Sequence, residues 1–214
     1  MNIIDELKEK EEIAIVEGLA MMSYVPSIGR VLESGGVDKF IKIVSETLPR
    51  IHDISSQTDF DNFHNGCVSR IIKEIMTSRG ETLSYGQAQK PLNVFYKVYV
   101  DWSKRLKISD LLRTFLHVPL DSILMKKIKE GYPGQFRQYV EDRYLEIREM
   151  VKIKDESASG KITDSDLKLI INPNDFSLNR IIRKDMYYAW QNCLRAIYPE
   201  RPVLLDVLWS IYRR

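Results

Sequence analysis

The chain has 214 residues, 44% of them hydrophobic and 29% charged, with a net charge of +2. That length and apolar content can bury a real core, as one large domain or two intimately packed helical halves. The small charge excludes a polycation, so any nucleic-acid contact must come from a local basic face, and two cysteines exclude a disulfide framework, a cysteine zinc site and a four-cysteine iron–sulfur cluster. Cys67 and Cys193 read as buried thiols.

Helical spacing begins at once. From Asn2 to about Met22, Ile3, Ile4, Leu7, Ile13, Ile15 and Val16 recur among charges. Val37–Leu48 repeats Phe40, Ile41, Ile43, Val44 and Leu48, and Asp59–Met76 carries Phe63, Cys67, Val68, Ile71, Ile72 and Ile75. Lys90–Lys104 holds Leu92, Val94, Phe95, Val98, Tyr99 and Trp102, nearly apolar all round, which predicts a central helix. Short helices are expected at Ser109–Phe115 and Leu120–Glu130, and a longer one over Gln135–Lys152. Polar Lys154–Ser165, with Ser157, Ser159 and Gly160, reads as a mobile loop. Lys168–Ile171 is a short apolar run that fits a strand or a continuing helix, and Asn172–Asp175 is a turn or helix-start signal. Final helices are expected over about Leu178–Ile197 and Pro202–Tyr212. The fold class is all-α: a single domain over 1–214, built as two packed helical halves. Met1–Lys10 lacks the apolar core of a signal peptide, and no apolar run reaches the ~18 residues of a spanning helix. We therefore expect a soluble, cytoplasmic monomer that contacts no membrane and uses no cofactor.

Chemistry concentrates in two segments, Leu83-Ser-Tyr-Gly-Gln-Ala-Gln-Lys-Pro-Leu-Asn93 and His117-Val-Pro-Leu-Asp-Ser122. The first reads as a glycine turn entering a helix. Glycine lets the backbone approach a phosphate, and free amides at a helix start can bind it; Ser84, Gly86, Gln87 and Ala88 would supply them. Tyr85 at the turn tip either inserts into a duplex or is structural. Lys90 either snorkels to solvent or, held among apolar walls, sheds its charge to act as a nucleophile. Asp121, two residues after Pro119, either caps a helix or presents a carboxylate to substrate. His117 either contacts a phosphate or base or is satisfied by the backbone. Lys97 is a candidate for strand contact, with Lys104, Arg105, Lys107, Lys126, Lys127, Lys129, Arg180, Arg183 and Lys184; a solvated charged face explains these equally. Trp102, Phe63, His64 and Trp190 offer stacking or core.

Lys90-Pro-Leu-Asn-Val-Phe resembles the segment after the hairpin in helix-hairpin-helix DNA glycosylases, the superfamily that includes endonuclease III and the oxidised-guanine glycosylases. Val118-Pro-Leu-Asp-Ser resembles their proline–aspartate signature, whose aspartate opens a helix facing the target nucleotide. The separation of 31 residues is similar to that of the archaeal oxidised-guanine branch. The resemblance spans about 77–130. It departs from the family pattern in having Gly86 alone where the hairpin carries two glycines, and in lacking the cluster-binding cysteines of some members.

The resemblance implies a helix-hairpin-helix-like core with an active site in the cleft between the two halves. It implies double-stranded DNA as partner and a nucleotide flipped into a pocket. Lys90 and Asp121 would be catalytic: the amine attacks the sugar carbon and displaces the base, the carboxylate stabilises the developing positive charge, and the resulting Schiff base permits strand cleavage. With Asp121 alone directing a water, the enzyme would be a glycosylase without lyase action. The base would be oxidised, alkylated or hypermodified, including a modified base of phage DNA. Two other readings stand beside this one: a nucleic-acid-binding helical protein without chemistry, and a helical protein-interaction module. Gly-x-Ser-x-Gly, His-Glu-x-x-His and Walker patterns do not occur, and His52-Asp53 lacks the further ligands a metal phosphohydrolase needs.

Overall fold

The computed structural model describes residues 3–156, 163–208 and 211. It is all-α. Among these residues no strand forms; two isolated antiparallel bridges, Leu32–Thr77 and Met76–Thr82, are the sum of extended pairing. The helices among the described residues are α1 (Ile3–Ile28), α2 (Gly36–Thr47), α3 (Gln57–Glu74), α4 (Tyr85–Tyr96), α5 (Ser109–Phe115), α6 (Ser122–Gly131), α7 (Pro133–Phe136), α8 (Asp142–Glu156), α9 (Asp164–Ile170) and α10 (Lys184–Ile197). Wider π-type turns continue α4 over Lys97–Trp102 and join α7 to α8 over Arg137–Glu141. No described helix is long and apolar enough to cross a membrane.

The chain divides into two compact units: 1–83 with 88–119, and 84–87 with 120–214. In the first, α1 packs on α2 and α2 on α3. Phe40, Ile43 and Val44 of α2, Phe60, Val68 and Ile71 of α3, and Leu92 and Phe95 of α4 are fully buried, as their helical spacing predicts. Gly36 opens α2 where a β-carbon would overlap the Tyr24 hydroxyl. That hydroxyl is buried and makes no hydrogen bond; burial, and then the Glu33 charge, push the phenol up to about 12. An unsatisfied buried hydroxyl costs about 1–3 kcal/mol. Tyr24→Phe is therefore expected to leave stability unchanged or to raise it by about 1 kcal/mol in urea unfolding; a clear loss would reveal a partner for the hydroxyl.

In the second unit α10 lies against α7, α8 and the turn between them. Its Trp190 is the centre of the core, with Phe136 at 5.5 Å and Phe176 at 6.2 Å between ring centroids. Burial leaves the indole N–H needing a partner, and Nε1 donates to the Tyr144 hydroxyl at 3.1 Å. Both cysteines are free and buried, and burial pushes the Cys193 thiol up to about 12.

Several boundaries differ from those the sequence predicts. α1 runs six residues past Met22, through Pro26. Of the two readings of Lys168–Ile171, strand or continuing helix, the helix holds: Lys168–Ile170 belong to α9. The expected loop over 154–165 does not hold at its described ends. Lys154 lies in α8, and Thr163 caps α9 by a reciprocal capping box with Asp166; 157–162 fall outside the described residues. The expected Leu178–Ile197 helix is a short 3₁₀ turn, Leu178–Arg180, followed by α10. Pro202–Val207 is likewise a 3₁₀ segment.

Candidate functional site

α4 starts five residues before Lys90, because its first turn is a capping box. The Ser84 hydroxyl accepts from the Gln87 amide at 3.1 Å, and the Gln87 side-chain oxygen accepts from the Ser84 amide at 3.0 Å. The same hydroxyl donates to the Leu178 carbonyl at 2.9 Å. Gly86 N–H donates to the Ile181 carbonyl at 2.8 Å. Of the amides expected to cradle a phosphate, those of Ser84, Gly86 and Gln87 are thus engaged inside the protein. Gly86 is glycine for packing: a β-carbon would overlap the Leu178 carbonyl oxygen and crowd Ile181. Tyr85 is not at a tip. It is buried, its ring centroid 4.9 Å from that of Tyr187.

Lys90 lies in the second turn of α4, half-buried, between Gln89 and Pro91. Asp121 is the N-cap of α6, its Oδ1 accepting from the Leu124 amide at 2.7 Å. It is half-buried. Lys90 belongs to the first unit and Asp121 to the second. Lys97, expected to touch a strand, is only 4% exposed. Its ammonium sits 4.3 Å from the Trp102 ring centroid, a cation–π contact. Trp102 itself is 56% exposed, whereas Phe63, His64 and Trp190 are buried.

His117 is buried and anchored. Its Nε2 lies 2.7 Å from Asp61 Oδ1, and its ring centroid is 4.2 Å from that of His64 and 5.1 Å from that of Phe60. Gln57 donates to the same Asp61 oxygen at 2.8 Å and to the Phe115 carbonyl at 3.0 Å. His64 Nε2 meets Asn93 Oδ1 at 2.7 Å, while Asn93 Nδ2 donates to Gln89 Oε1 at 2.6 Å and to the Val118 carbonyl at 3.2 Å. Because the Asn93 amide nitrogen faces two acceptors, its oxygen is the acceptor for His64, and His64 Nε2 carries the hydrogen. This network ties α3, α4 and the segment entering Pro119 together within one unit. Reading residues one at a time missed Gln57, Asp61, Gln89 and Asn93. The available signal was spacing: Gln57, Asp61 and His64 fall four and three apart on α3, and Gln89 and Asn93 four apart on α4.

Several of the basic candidates are ion-paired. Arg105 meets Glu12 at 3.0 Å, and that hydrogen bond, with a further one from Tyr99, holds the Glu12 carboxyl below its usual range despite partial burial. Lys127 meets Glu130 at 2.7 Å, Arg180 meets Asp175 at 3.4 Å and Arg183 meets Asp185 at 2.7 Å. Exposed pairs of this kind contribute little stability and mark a solvated face of mixed sign. Among the described residues no group of three or more His, Cys, Asp or Glu is placed to hold a metal ion. Comparisons with known protein families, with curated proteins and with solved structures find no match to this chain.

Proposed function

We propose that the protein is a DNA glycosylase that excises a modified or damaged base, with Lys90 as the nucleophilic amine and Asp121 as the carboxylate. What supports this reading is the local build of two helix starts. Val118-Pro-Leu-Asp121 leads into α6 with Asp121 at its cap, as the proline–aspartate resemblance implies, and Lys90 rides on a helix whose start is pinned by a capping box. Lys90 Nζ attacks the sugar C1′, the N-glycosidic bond breaks, and the base leaves with its electron pair; ring opening with loss of a proton gives the Schiff base. Asp121 stabilises the positive charge that develops on the sugar.

A specific observation favours a second reading. The Gly86 and Gln87 amides are bonded internally and Lys97 is buried, which removes much of the expected DNA contact. A helical binding module without chemistry accommodates that loss.

Borohydride trapping separates the two. On duplexes carrying a panel of modified bases and an abasic site, the parent is expected to form a covalent adduct that Lys90→Gln abolishes. Base release that needs Asp121 but gives no adduct indicates water attack. Neither adduct nor release on any duplex, phage DNA included, leaves the binding-module reading.

A further inference from the structure

The second unit carries a groove of about 700 Å³ between α8 and α10. This lies within the ~300–1,000 Å³ of ligand clefts. Two helix faces build it. Tyr139, Arg143 and Glu146 fall four and three residues apart on one wall; Asp185, Tyr188 and Asn192 fall three and four apart on the other. Arg183 and Lys184 stand at the start of α10. Both tyrosines are half-buried, so part of each side chain reaches the groove surface.

The charges are organised, not merely numerous. Arg183 grips Asp185 with two parallel hydrogen bonds, Nε to Oδ1 at 3.0 Å and Nη2 to Oδ2 at 2.7 Å, which fixes the guanidinium plane. Arg143 meets Glu146 at 2.6 Å. The Lys184 ammonium is 5.6 Å from the Tyr188 ring centroid. Three cations against two carboxylates leave a small positive excess, too little for binding by charge alone. Two partly exposed tyrosines lining one groove, beside cations and side-chain amides such as that of Asn192, are the elements of a stacking platform for unpaired bases.

We infer that this groove binds a short single-stranded segment of nucleic acid, with bases stacked on Tyr139 and Tyr188 and phosphates beside Arg143, Arg183 and Lys184. A duplex does not fit this chemistry, because its base faces are already stacked on one another. The inference rests on nucleic acid being the ligand class proposed above, but not on base excision.

The test is fluorescence anisotropy of a labelled short oligothymidylate with the full chain, beside an abasic strand of equal length. Base–aromatic stacking is worth about 1–3 kcal/mol per base on alanine substitution, so Tyr139→Ala and Tyr188→Ala should each weaken binding by about 5-fold or more. Tyr139→Phe and Tyr188→Phe keep the ring and should bind like the parent. The abasic strand should bind markedly less well, and the salt dependence of the parent should be shallow. No affinity for the oligonucleotide, alanine variants equal to the parent, or equal binding of the abasic strand would each overturn the inference. Failure of borohydride trapping leaves these readouts untouched, so the two proposals fail separately. Base release by a parent chain that shows no affinity for the oligonucleotide would sink the groove alone.

Discussion

Asn93→Ala is expected to destabilise the first unit by about 3–5 kcal/mol. Asn93 is 1% exposed, and its amide serves three groups: His64, Gln89 and the Val118 carbonyl. Truncation removes all three bonds at once and leaves a gap too polar to collapse onto. A buried polar group deprived of its partner costs about 1–3 kcal/mol, against a typical total stability of about 5–15 kcal/mol. The loss should be local. Amide hydrogen exchange of the full chain should accelerate most across α3, α4 and the 115–118 segment, because those are the parts the network joins. The contrast is Lys90→Ala, three residues earlier on the same helix. Lys90 is half-buried, and its truncation should cost no more than about 1 kcal/mol. Equal exchange in Asn93→Ala and the parent would mean that the network is incidental to the fold.

That contrast shows what the sequence exposes and what it hides. Apolar periodicity places α2 and α3 to within two residues, because each has a buried apolar stripe, and α5 spans the expected Ser109–Phe115. It starts α4 too late, because the capping box Ser84-x-x-Gln87 contains a glycine and reads as a turn. The signature was present; the glycine outweighed it. Conversely, α1 runs past its expected end at Met22 and through Pro26, because a proline this close to a helix end removes only one bond. The candidate site was legible in part. Asp121 at a helix start is local chemistry and could be read from Pro119 onward. The burial of Lys97 and of Tyr85 is tertiary: nothing in Val94-Phe-Tyr-Lys-Val says that the ammonium will lie over Trp102. The polar network needed residues 29 and 56 positions apart, His64 with Asn93 and Asp61 with His117, to be brought together. Single-chain periodicity carries no such information.

Gly86→Ala tests the residue on which that reading turned, and the expected result is a large loss of stability. The added carbon would overlap the Leu178 carbonyl oxygen and press on the Ile181 Cβ. Overpacking costs about 1–3 kcal/mol where side chains can yield. Here the obstacle is backbone. It is held close by the Gly86 N–H bond to Ile181 and by the Ser84 hydroxyl on Leu178. A loss near the top of that range, about 3 kcal/mol, corresponds to a fall in Tm of roughly 6–12 °C for a chain of this size. Ser84→Ala, which forfeits the cap but adds no atom, should cost about 1 kcal/mol. A glycine kept only to admit a phosphate would behave the other way: Tm would hold while DNA affinity fell. Thermal unfolding of the two variants without DNA therefore decides what Gly86 is for. A marked fall in Gly86→Ala assigns it to the packing of the 178–181 segment, and an unchanged Tm returns it to the phosphate-binding turn.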